Sequence, residues 1–334
     1  MERGRPMLDL TFACGAYDRV QPLTDGRVPV EGVRLNVLHL EPEECFWRML
    51  QNAEFDAAEM SLSSFAIAVA AGDDRFVGIP AFLSRSFRHS SLYVRGDGEI
   101  TEAEGLAGRR IGVPEYQMTA SVWTRGLLAH EFGVDLRDVT WCTGGLEQPG
   151  RTERQSLALP EWVRVKPLDP DRTLSDALVA GDIDALMAPR VPGVFRRPGG
   201  DVRRLFPDYR ERERDYFERT GLFPLMHLVV VRRDVLETNP WVARSLYKAL
   251  VEAKRVATDG LVDLPALRYT MPFLLAALEE QREVFGEDAW PYGLEPNRHA
   301  LETFLAYLRE QGLVGTPPAP EDLFAPTTLR ESRI

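Results

Sequence analysis

Met226-His-Leu-Val-Val-Val-Arg232 is a short run of mostly β-branched apolar residues between a histidine and an arginine, the pattern of a buried strand. Before it lies a segment, 196–219, in which eight Arg face six acids, and which reads as a solvated, salt-bridged helix. After it, Asn239-Pro-Trp opens a long amphipathic helix reaching residue 256, with Leu246, Leu250 and Ala253 on one face. Two further helices, 273–285 and 296–311, and a Pro-rich stretch at 316–320 complete the C-terminal part. The strand at 226–232 therefore returns the chain from one α/β unit to another.

The first unit is the N-terminal one. Residues 8–13 and 33–40 read as strands, 43–52 and 65–71 as helices, and 77–82 and 91–94 as further strands, the alternation of an α/β layer architecture. Gly96-Asp-Gly98 breaks this pattern. A second unit follows: a strand fed by 105–114, a helix from Thr119 to 131 with Thr119 as its cap, a strand at 139–143, a helix at 173–180 and a strand at 183–187. The expected plan is two domains, 1–95 plus 226–334 and an inserted 96–225, each a mixed sheet flanked by helices. The crossings fall near 94–98 and 223–227.

Composition agrees with a folded protein of this kind. At roughly 100–200 residues per domain, 334 residues make two domains or one large one. Hydrophobic residues at 44% and charged residues at 27% exclude disordered, collagen-like and disulfide-scaffold classes. The net charge of −11 argues against a nucleic-acid or anionic-membrane partner. Cys14, Cys45 and Cys142 are far apart, show no metal-ligand spacing and read as reduced, buried thiols. No stretch approaches the roughly 18 apolar residues of a membrane span, and the first ten residues have no leader-like apolar region, so a cytoplasmic location is expected. No HxxxH, HxH or phosphate-loop pattern occurs, so neither a metal nor a nucleotide is expected.

Five phrases carry a resemblance: Phe55-Asp-Ala-Ala-Glu-Met-Ser61, Arg85-Ser-Phe-Arg-His-Ser-Ser91, Gly112-Val-Pro-Glu-Tyr-Gln-Met-Thr-Ala120, Trp141-Cys-Thr-Gly-Gly-Leu-Glu-Gln-Pro-Gly-Arg151 and Thr220-Gly-Leu-Phe-Pro-Leu-Met-His227. Together, over residues 8–308, they resemble the 4,5-dihydroxyphthalate decarboxylase family. The resemblance implies a two-domain α/β type 2 periplasmic-binding-protein-like fold with a ligand cleft between the domains. It further implies cofactor-independent decarboxylation of a hydroxylated aromatic dicarboxylate, with 4,5-dihydroxyphthalate going to protocatechuate and CO2 as the model reaction. A small aromatic carboxylate is then the partner, with a homo-oligomer expected from the family and from the apolar-faced helix at 241–256.

That reaction needs an acid to protonate the ring, anchors for the carboxylates and exclusion of water. His89, between Arg85 and Arg88, is the first candidate acid, and His227, opening the returning strand, is the second. Glu115 and Tyr116 lie between a strand and a helix, where a carboxylate or phenol can take a catechol proton. The helix N-terminus with Thr119 and Ser121, and Ser61, Ser63 and Ser64 in the other domain, offer carboxylate cradles, although such Ser and Thr are more often simple caps. Arg19, Arg85, Arg88, Arg151 and Arg190 are candidate anion clamps, whereas His39, His130 and His299 read as ordinary surface residues. Two alternatives share these residues: a non-catalytic solute-binding protein for an aromatic carboxylate, and a lyase resembling the chorismate dehydratases.

Overall fold

The computed structural model describes residues 7–199, 201–262 and 269–329. The reading of the N-terminus as leaderless falls partly on residues 1–6, outside the described ones. In chain order the strands are β1 (Leu8–Cys14), β2 (Val33–His39), β3 (Ala57–Ser61), β4 (Phe76–Arg85), β5 (Leu92–Arg95), β6 (Arg110–Val113), β7 (Thr140–Thr143), β8 (Arg164–Pro167), β9 (Ala185–Met187), β10 (Val202–Arg204) and β11 (Leu225–Arg232). They form two sheets, one in each of two units. The first unit comprises Met1–Arg85, Leu225–Leu301 and Pro318–Ile334, the second Ser86–Pro224 and Glu302–Pro317.

These bounds differ from the expected 1–95 and 226–334. The chain leaves the first unit ten residues earlier, because β5 pairs with β9 and β10 in the second sheet. Residues 302–317 also belong to the second unit, where Gly126 allows the helix Thr119–Phe132 to lie against Tyr307: a Cβ at position 126 would sit 2.1 Å from that ring.

In the first unit the sheet order is β2-β1-β3-β11-β4. β1 runs parallel to β2 and β3, while β11 runs antiparallel to both β3 and β4. Every residue of β3 is buried, as a central strand requires, and Val229, Val230 and Val231 of β11 are fully buried beside it. The C-terminal segment closes over β4 where Gly78 has no side chain; a Cβ there would stand 2.5 Å from the Leu323 carbonyl oxygen. The helix Val242–Val262 buries Leu246, Leu250 and Ala253 within this unit, so the face expected to support a homo-oligomer is already covered. A separate short helix, Arg233–Thr238, precedes it.

The second sheet has the order β10-β5-β9-β6-β7-β8. Its parallel part, β9-β6-β7-β8, is joined to β5 and β10 by antiparallel pairing. Tyr93, Leu174, Leu178, Ile183, Leu186 and Val202 pack into one of its cores. The charged segment at 196–219 is not helical throughout: β10 occupies its beginning and only Tyr209–Thr220 is helix. No described helix is long and apolar enough to cross a membrane.

Candidate active site

Strand direction gathers side chains at one edge of the first sheet. β1, β3 and β4 end there and β11 begins there, so the loop after Cys14, Ser61, Arg85 and His227 are neighbours at the carboxyl edge, where open α/β sheets place their ligands. In the β3–β11 register His227 lies opposite Ser61 and Val229 opposite Glu59. Alternation puts Glu59, Ser61, His227 and Val229 on one face, which makes His227 the diagonal neighbour of Glu59. The register of β11 on β4 slips on both sides of His227, a local irregularity of the kind that re-aims a side chain.

Glu59 is wholly buried, and three groups of this chain engage its two carboxylate oxygens. His227 Nδ1 lies 2.6 Å from Oε1, Tyr17 donates its hydroxyl to the same oxygen at 2.7 Å, and the Gly15 N–H donates to Oε2 at 2.9 Å. Gly15 is required for this closure, since a Cβ there would stand 2.7 Å from the Tyr17 ring. Burial pushes the Glu59 carboxyl upward, but the hydrogen bond and charge of His227, with Gly15 and Tyr17, outweigh it and hold the group below the usual carboxylate range. Burial, then the Glu59 charge, pushes Tyr17 up, so it remains a donor. The imidazole is partly exposed and meets the Phe46 ring edge-on at 4.7 Å. With Nδ1 committed to Glu59, Nε2 is the atom left for chemistry.

Arg19 stands on the same edge. Its guanidinium lies 4.2 Å from the Tyr17 ring centre and 4.6 Å from that of Trp290, while Nε donates to the Leu83 carbonyl at 2.8 Å. Arg85 is turned inward, donating to the Pro291 carbonyl at 2.5 Å and to Asn297, and burial pushes it down to about 9. It thereby anchors the C-terminal segment, on which Tyr292 is also buried. Ser61 caps the helix Leu62–Ala70 by accepting from the Ser64 N–H, with Ser63 and Ser64 buried in its first turn. Cys14 and Cys45 are free and buried, and burial raises both thiols, so neither is an activated nucleophile.

The second unit brings together Glu115, Arg151, Tyr116, Thr119 and Ser121 after β6. Glu115 is buried and paired with Arg151, whose Nε lies 3.0 Å away, and with Arg154 at 3.0 Å. Its charge is thus neutralised by this chain, and Arg151 is engaged in the pair. The helix begins with Met118 as its N-cap, so Thr119 is the first helical residue and not the cap. Ser121 donates to the Glu115 carbonyl at 2.8 Å.

Just before this helix, the Tyr116 and Gln117 N–H groups donate to the two oxygens of Glu153. Burial pushes Glu153 up to about 7. Tyr116 donates its hydroxyl to the Gln311 carbonyl at 2.9 Å and stacks with buried Arg125 at 3.8 Å, the surroundings of a structural phenol.

His89 lies apart from this group. It is buried against Phe206 and Tyr216, with Nδ1 4.0 Å from Glu213, and burial followed by the charges of Arg212 and Arg219 pushes it down to about 4. Arg88 is buried near Glu213, and Arg190 is exposed.

Glu59, Tyr17, Trp290 and Glu153 were not singled out from sequence. The available signal for Glu59 was a carboxylate inside the small apolar run Ala57-Ala-Glu-Met60, where a buried charge needs a partner.

No family model matches the chain. A 4,5-dihydroxyphthalate decarboxylase from Comamonas testosteroni is 42% identical over 327 residues, covering 98% of this chain and 99% of that protein. Another of the same name from Pseudomonas putida is 42% identical over 210 residues, 63% of this chain and 81% of that protein. Among solved structures, a Candida albicans protein with the generic periplasmic binding protein fold superposes with a TM-score of 0.55 at 13% identity, covering 98% of this chain and 99% of that one. The periplasmic aliphatic sulphonate binding protein of Escherichia coli gives 0.51 at 14% identity, covering 98% and 95%. The fold is therefore periplasmic-binding-protein-like, with mixed α/β sheets flanked by helices.

Proposed function

The chain belongs to the 4,5-dihydroxyphthalate decarboxylase family, and from that premise we propose that it decarboxylates a hydroxylated aromatic dicarboxylate, 4,5-dihydroxyphthalate being the model substrate. The hydroxyl para to the departing carboxylate pushes electron density onto the ring carbon that carries it. An acid protonates that carbon, the bond to the carboxylate then breaks with its electron pair returning to the ring, and CO2 and protocatechuate result. One proton is consumed for each CO2 released. The ring acts as its own electron sink.

The observation that carries the residue assignment is the His227–Glu59 hydrogen bond at the carboxyl edge of the first sheet. His227 donates its proton from Nε2 to the ring carbon and is reprotonated from solvent through its exposed side. His89 is a poorer acid in this reading, because its buried ring is held neutral at physiological pH. Arg19 supplies positive charge to the carboxylate that is retained. The three cysteines, all free and buried, fit a reducing compartment, and we place the reaction in the cytoplasm.

The test is incubation of the purified protein with 4,5-dihydroxyphthalate while CO2, protocatechuate and binding are followed together. Equimolar CO2 and protocatechuate are expected. Saturable binding without either product overturns the decarboxylase reading in favour of a solute-binding protein.

A further inference from the structure

We propose that Glu59 is the positioning residue of this site: it holds the His227 ring in one orientation through Nδ1, with Nε2 aimed away from the pair, without touching substrate. The proposal rests on His227 as the acid, and its evidence is the engagement of both carboxylate oxygens within the protein. Oε1 faces His227 Nδ1 and the Tyr17 hydroxyl, and Oε2 faces the Gly15 N–H, all within 2.6–2.9 Å. Glu59 has no exposed surface through which to reach a ligand. A wholly buried carboxylate in the central strand is costly unless its charge is compensated. Here one of the compensating groups is an imidazole that also reaches solvent.

The consequence is a division of labour within one imidazole. Nδ1 is spent on Glu59, which fixes the ring plane, and the Phe46 ring closes one side. The bond that breaks in catalysis is Nε2–H. The other titratable or charged groups about the pair are Tyr17 and Arg19 on the loop after β1, Cys14, Cys45 and Tyr292. Tyr17, Cys14, Cys45 and Tyr292 are all raised, chiefly by burial, and stay neutral, which leaves Glu59 as the negative charge facing His227.

Glu59→Gln tests this, because a side-chain amide of the same shape cannot serve all three donors. Either its NH2 opposes the Gly15 N–H, or it turns round and donates to Nδ1, forcing the neutral tautomer. Nitrogen-15 NMR of the histidine rings, read without substrate, should show the Nδ1 resonance of His227 displaced from its position in the unmodified protein. In parallel kcat should fall about 100-fold with KM within about threefold. Glu59→Asp, which keeps the charge, should recover part of kcat. Tyr17→Phe, which removes the second donor to Oε1, should also displace the His227 Nδ1 resonance, and this variant decides the matter if Glu59→Gln does not fold. An unchanged His227 spectrum in Glu59→Gln, or in Tyr17→Phe where only that variant folds, overturns the proposal. If the spectra shift as expected but the unmodified protein releases no CO2, the decarboxylase reading fails and the positioning role stands.

Discussion

Nδ1 of His227 and Oε1 of Glu59 lie 2.6 Å apart although 168 positions separate the two residues in sequence. Antiparallel pairing of β11 with β3 makes them diagonal neighbours on one face of the sheet. A partly exposed imidazole is thereby backed by a buried carboxylate, at the carboxyl edge of the sheet.

Gly15→Ala is expected to lower kcat without unfolding the protein. The new methyl group meets the Tyr17 ring at 2.7 Å and moves the phenol off Glu59. Tyr17 lies on a loop that can yield, so the change should appear as a loss of turnover of about tenfold, with an unchanged circular dichroism spectrum. A fully active variant means that the Tyr17 contact is dispensable.

Arg19→Met should raise KM about tenfold or more while kcat changes less, because a charge-assisted contact to a carboxylate is removed and the acid is untouched. Steady-state kinetics with the dicarboxylate and a monocarboxylate analogue checks this. The variant should discriminate less between the two.

Acid sensitivity is expected from His89. Its folded-state value of about 4 lies below the ordinary 6.5, so the folded chain binds fewer protons than the unfolded one between these limits. The contribution is fully present above 6.5 and is lost as pH falls toward 4, by about 1.4 kcal/mol per pH unit. Chemical denaturation across that range should show His89→Phe losing less stability on acidification than the unmodified protein. Identical slopes would contradict it.

Gly126→Ala should destabilise the second unit by about 1–3 kcal/mol, because the added methyl group meets the Tyr307 ring at 2.1 Å in a packed interior. Thermal unfolding reads the loss as a lower Tm. Combining it with Tyr307→Ala should give less than the sum of the two single effects.

How much of this was legible in the sequence follows from where each residue lies. β1 and β11 announce themselves because buried strands need runs of apolar residues, and β2, an edge strand, by its alternation. β8 leaves no strand signal and β10 reads as part of a charged helix, because both are edge strands: β8 is mostly exposed, and β10 carries two arginines within a charged segment. The first crossing was placed ten residues late because β5 reads as a strand without revealing which sheet it joins. His227 was visible as a histidine opening a returning strand. Its partner was not, since a glutamate among alanines gives no sign of what will lie beside it until the register is known. The binding of Glu153 to the backbone just before the helix, 37 residues beyond Tyr116, is a tertiary fact that no local pattern announces.

His227→Ala, assayed for CO2 release and in parallel for substrate binding by calorimetry, tests the central claim most directly. The expected result is a Kd within a few-fold of the unmodified protein and a kcat lower by about 100-fold or more. Undiminished CO2 release from a variant that binds normally would contradict it and place the acid elsewhere.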